Sequence, residues 1–137
     1  MKWRNWQAWV LRLVGEVEIL AFGAVFLPRA WMGSVHARMG LMEMPEVPVF
    51  NSVMRQVSFD YGLHGLALWF VAVDIGRYRP LVILTAIGYL LTGPVFALIV
   101  LGNGIPWHWI AGNDGSCFLI GTILLALLVG ERLGAKN

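Results

Sequence analysis

The chain has 137 residues, ten Lys and Arg against eight Asp and Glu, a formal net charge of +2 and a mean hydropathy of +0.71. Hydrophobic residues make up 58% and charged residues 13%, against roughly 25% charged in a soluble domain, so a fold bathed in water on every side is not expected. The single Cys117 excludes an intramolecular disulfide and a dithiol redox pair and reads as a small packing residue.

Four apolar stretches of about bilayer length fill most of the chain. They are long and continuous, unlike the short alternating segments of a membrane barrel. The predicted fold is an all-α membrane protein, a four-transmembrane-helix bundle with short interfacial segments. It forms one domain over 1–137, with spans at about 9–27, 51–73, 81–101 and 115–130.

The first span follows Trp3, Trp6 and Trp9, whose near-helical spacing beside Lys2 and Arg4 reads as an aromatic anchor at headgroup depth. Arg12, Glu16 and Glu18 interrupt the apolar run and argue against a cleavable signal peptide. Pro28 ends the span, and the piece from Arg29 to Met42 is expected as a short interfacial helix. Glu43, Pro45, Glu46 and Pro48 then break regular structure, since each proline lacks a donor and biases its predecessor toward extended backbone.

The second span is unusually polar for a membrane helix, with Arg55, Gln56, Asp60 and His64. The turn from Asp74 to Pro80 is tight and basic; Gly76 is the expected C-cap and Pro80 opens the third span. That span carries Pro94 as an expected kink and Gly88, Thr92 and Gly93 as a close-approach surface. Gly102-Asn103-Gly104 ends it. Ile105 to Ile110 forms an aromatic interfacial segment around His108, and Asn113 or Asp114 is the expected N-cap of the last helix.

Basic residues set the orientation, because Lys and Arg are retained on the cytoplasmic side. Lys2, Arg4, Arg12, Arg77, Arg79, Arg132 and Lys136 fall on one side; Arg29, Arg38 and Arg55 fall on the other, with Glu43, Glu46 and Asp114. Both termini are therefore expected in the cytoplasm. The basic residues at membrane edges make the lipid bilayer the expected partner, and no nucleic acid is implied.

Glu16 and Glu18 lie near the middle of the first span, Asp60 and His64 near the middle of the second, so antiparallel neighbours bring them to one depth. Gln56, Asp60 and His64 recur every four residues along one stripe. The candidate intramembrane polar site is Glu16, Glu18, Arg55, Asp60 and His64. Exposing a charged member to lipid costs about 2.5 kcal/mol or more. Two readings stand side by side: polar glue between helices, with Arg12–Glu16 and Asp60–His64 paired one turn apart, and a site for proton transfer or a polar ligand.

No metal is expected: there is no Glu-x-x-His spacing of diiron bundles and no His-Glu-x-x-His. Haem is not expected either, since His36 and His108 belong near the outer interface and only His64 is deep. No cofactor is called for, and neither a nucleophile elbow nor a phosphate-binding glycine loop occurs.

The series Arg12-Leu13-x-Gly15-x-x-Glu18, then Ala24-Val25-Phe26-x-Pro28-x-x-Trp31-Met32, with Arg55, Tyr61, His64-Gly65 and Arg77-Tyr78-Arg79-Pro80-Leu81, resembles a pattern of uncharacterised small bacterial four-helix integral membrane proteins. The resemblance covers nearly the whole chain. It implies a bacterial inner-membrane location and supplies no activity, cofactor or catalytic residue. In layout, without a shared motif, the chain is also similar to DoxX-like proteins.

Three functional classes follow. The leading one is a non-enzymatic membrane component that packs as a homo-oligomer or within a larger membrane assembly. The alternatives are a small transporter or proton-relay protein using Glu18, Asp60 and His64, and an intramembrane enzyme acting on a lipid-like substrate.

Overall fold

The computed structural model describes residues 2–41, 43–105 and 107–134, which are mostly helical with no strand among them. Lys136 of the basic count, Met42 of the expected interfacial piece and Pro106 of the aromatic segment lie outside the described residues. The chain divides into two compact units, residues 12–70 and residues 1–11 with 71–137.

In the unit of residues 12–70, α1 (Lys2–Ile19) contributes its C-terminal half, followed by α2 (Ala21–Phe26), α3 (Arg29–Arg38) and α4 (Pro48–Val71). The expected first span is therefore interrupted. α1 begins seven residues earlier than the expected span, at Lys2, and the helix breaks at Leu20, where Gly23 N–H donates to the Leu20 carbonyl at 3.0 Å in a tighter i→i+3 turn. Nothing in the sequence around Leu20 marks that break.

α2 ends where Leu27 adopts ψ 137°, the extended geometry that the ring of the following Pro28 imposes. α3 closes with Gly40 at φ 76°. Leu41 N–H returns to the His36 carbonyl and Gly40 N–H to that of Ala37, the paired bonds of a Schellman cap. The proline-rich segment after it is irregular up to Pro48, as its missing donors dictate.

α1 and α4 run antiparallel and touch backbone to backbone. A Cβ on Gly65 would sit 2.6 Å from the Gly15 carbonyl oxygen and 2.9 Å from Ile19 N; a Cβ on Gly15 would sit 2.7 Å from the Gly65 oxygen. Further along, Phe22 lies against Gly62 and meets Phe59 edge to face at 5.5 Å. Small residues thus set the helix separation.

The other unit pairs α5 (Arg79–Gly102) with α7 (Gly115–Gly134), joined by a short turn of helix, α6 (Trp107–Trp109), and a π-helical turn over Ile110–Asp114. Gly93 on α5 packs on the Asp114 oxygen and Phe118, and Gly121 on α7 packs on Leu90 and Ala86, which brings two backbones together antiparallel. Val82, Ala86, Leu124 and Leu128 fill the seam, and Leu11, Val71, Ala72 and Ile75 are also buried in this unit.

α5 continues through Pro94 and ends in a second Schellman cap, with Gly104 at φ 66° and Ile105 N–H on the Val100 carbonyl. Two corrections follow. Gly76 does not have positive φ and is no left-handed cap; instead Arg4 lies over it, 3.0 Å from where a Cβ would stand. Asn113 and Asp114 do not cap α7, because helical backbone runs continuously into it and Gly115 N–H is already bonded to the Ile110 carbonyl.

Two helical stretches, Arg79–Gly102 and Trp107–Gly134, are long and apolar enough to cross a membrane, and only 17% of the apolar window of each is buried.

Candidate functional site

The expected polar cluster is only partly assembled. Glu18 on α1 and His64 on α4 meet across the Gly15–Gly65 crossing, with the carboxylate 2.6 Å from His64 Nδ1. The glycine contact makes this reach short, since it draws the two backbones together just beside the pair. Glu18 is shielded, with 11% of its side chain exposed, whereas His64 keeps 49% exposed. The imidazole therefore joins a covered carboxylate to an open surface.

That surface is a groove of about 230 Å³ lined by Val57, Asp60, Tyr61 and His64, all on α4. Asp60 stands one turn before His64 on the exposed face. Gln56, one further turn back, donates to Ser52 on its own helix at 3.3 Å. Glu16 is exposed on α1 and does not line the groove.

Arg55 performs a different task. Its guanidinium donates to the carbonyls of Val25 and Leu27, the latter at 3.0 Å, and Nε donates to Asn51 Oδ1 at 3.4 Å. These carbonyls belong to the end of α2, which Pro28 prevents from continuing, so backbone acceptors there lack helical donors. A cation at a helix C-terminus is electrostatically favoured as well. Arg55 is thus a clamp on the α2 end rather than a member of the Glu18–His64 group.

A second polar constellation, in the other unit, escaped the sequence reading. Glu131 near the end of α7 accepts from Arg4 Nε at 2.6 Å, from Arg79 Nη1 at 2.7 Å and from the carboxamide of Gln7 at 3.3 Å. Gln7 is fully buried. The available signal was Glu131 itself, a lone acid following an apolar run on a side otherwise rich in bases.

Asp114, expected as an N-cap on the side opposite most of the basic residues, is enclosed by protein. It is 1% exposed, accepts from its neighbour Asn113 at 2.9 Å through Oδ1, and has Oδ2 buried without a hydrogen bond. Among the described residues, no three His, Cys, Asp or Glu side chains converge as a metal would require.

The chain matches no protein-family model, no curated protein and no solved structure. The functional reading accordingly rests on the geometry and chemistry of these residues.

Proposed function

We propose that the protein is a non-enzymatic integral membrane component with four helical spans, resident in the bacterial inner membrane with both termini cytoplasmic, that packs laterally through the face of α4 bearing Asp60 and His64. The observation that carries this is the exposure of both ionisable side chains on a face shared with apolar Val57 and Tyr61. Lipid is a poor neighbour for them, at about 2.5 kcal/mol or more for a charged group at mid-depth. A second protein surface, from another copy or a larger assembly, satisfies them. Membrane residence is supported by two apolar helices whose flanks are mostly exposed, where a soluble core helix would be covered.

A photo-crosslinking side chain at Val57 tests the proposal in native membranes. A discrete adduct is expected, and Asp60→Lys is expected to abolish it while leaving insertion intact. Absence of any adduct at Val57, with the chain inserted, rules the lateral contact out.

The Glu18–His64 contact favours a second reading, a small transporter or proton-relay protein, because a shielded carboxylate handing a proton to an exposed imidazole is the minimal unit of such a path. Proteoliposomes with a pH-sensitive dye distinguish the two: a relay requires a proton leak that His64→Leu abolishes, whereas the assembly role predicts equal traces for both proteins.

A further inference from the structure

Glu131 is an acid placed between two guanidinium groups, and the arrangement does more than neutralise charge. Arg4 and Arg79 approach opposite oxygens of its carboxylate, at 2.6 and 2.7 Å, and Gln7 adds a third donor. Each guanidinium has five N–H donors in a rigid fork. Glu131 engages one nitrogen of each, Nε of Arg4 and Nη1 of Arg79, and so fixes two forks while leaving further donors on both. Among the described residues, Lys2, Arg77 and Arg132 each lie within two positions of Arg4, Arg79 or Glu131 in the chain, so bases outnumber acids in these segments. Arg77 lies over the Tyr78 ring at 5.5 Å.

The surroundings fit one class of anion. Trp3 packs its indole on Gly130 and Gly134 beside Arg4 and remains 43% exposed, the position of an interfacial tryptophan. Arg79 opens α5 and Glu131 lies near the end of α7, and both helices carry exposed apolar side chains along their length, Leu81, Leu84, Leu125 and Val129 among them. Phosphate donors thus sit at one end of two apolar helices.

We propose that Glu131, Arg4 and Arg79 form a binding site for the phosphodiester of an anionic phospholipid, with the acyl chains lying along exposed α5 and α7. The two arginines grip the phosphate, and Glu131 holds them in position. The inference rests on membrane residence and is independent of the proposed lateral contact through α4.

The test uses the full-length chain and native mass spectrometry of retained lipid, with dioleoylphosphatidylglycerol, dioleoylphosphatidylcholine and inorganic phosphate as probes. Retention of the glycerol lipid over the choline lipid is expected, and excess inorganic phosphate should leave it bound. Arg4→Gln and Arg79→Gln should each weaken retention about five-fold, the scale of one basic residue at a charged membrane surface, while Arg132→Gln leaves it near the wild-type value.

Glu131→Gln provides the decisive arm. Diffuse attraction predicts tighter binding, because the variant gains one unit of net positive charge, whereas the site predicts weaker binding, because the arginines lose their fixed carboxylate. Unchanged or tighter retention by Glu131→Gln overturns the proposal, and so does displacement of the lipid by phosphate alone. If Glu131→Gln does not fold, equal losses in the Arg4, Arg79 and Arg132 variants overturn it instead. Insertion into pure phosphatidylcholine vesicles separates the two ideas: failure to insert defeats membrane residence, while insertion without a preference for the anionic lipid defeats only the site.

Discussion

Arg55 shows how far one side chain's role depends on a break elsewhere in the chain. Pro28 stops α2, the carbonyls of Val25 and Leu27 lose their helical donors, and a guanidinium thirty residues away supplies replacements. Leaving a buried acceptor unsatisfied costs about 1–3 kcal/mol, so Arg55→Met should destabilise the protein by that order in a reversible denaturation series in mild detergent. Arg55→Lys should recover only part of the loss, because one ammonium cannot present the planar fork that spans two carbonyls. Full stability of Arg55→Met would show that water replaces the clamp.

The helices meet at glycines, and each glycine has a definite tolerance. A Cβ on Gly65 would fall 2.6 Å from a backbone oxygen of Gly15, and one on Gly121 would fall 2.6 Å from Leu90 N. Backbone cannot move aside as a side-chain tip can. Overpacking of this kind costs about 1–3 kcal/mol, so Gly65→Ala and Gly121→Ala should each lower the unfolding midpoint. Gly88 has nothing within 4 Å of its would-be Cβ; Gly88→Ala should be neutral or raise stability by up to about 1 kcal/mol, the helix-propensity difference. Equal effects at all three positions would refute the close-contact account. Gly65→Ala should also loosen the Glu18–His64 contact, since the same crossing brings those side chains together.

At the scale of the whole molecule, the number of membrane crossings is decided by where residue 46 lies. With four spans and cytoplasmic ends, Asn5→Cys and Arg77→Cys are shielded from an impermeant thiol reagent, while Glu46→Cys and Asn103→Cys react, all in a Cys117→Ser background. With crossings only by α5 and α7, the two most apolar stretches, Glu46→Cys is shielded together with Asn5→Cys. Labelling of intact cells at position 46 therefore separates the two topologies, and reaction at Asn5 from outside rejects the cytoplasmic orientation.

The sequence by itself determined the features set by a few neighbouring residues. Apolar runs without interruption made α5 and α7 recognisable, the missing donors of Pro45 and Pro48 marked the irregular stretch before α4, and Pro80 marked the first turn of α5. The four-residue spacing of Gln56, Asp60 and His64 likewise placed them on one stripe. Tertiary structure alone decided which partner each polar group meets. Arg55 left the carboxylates for the end of α2, Glu131 gathered Arg4, Gln7 and Arg79, and Asp114 became buried. Local backbone preferences are written within one or two turns of helix, whereas the partner of a charged side chain depends on how closely two backbones approach. Here that distance is governed by glycines whose importance lies in the atoms opposite them.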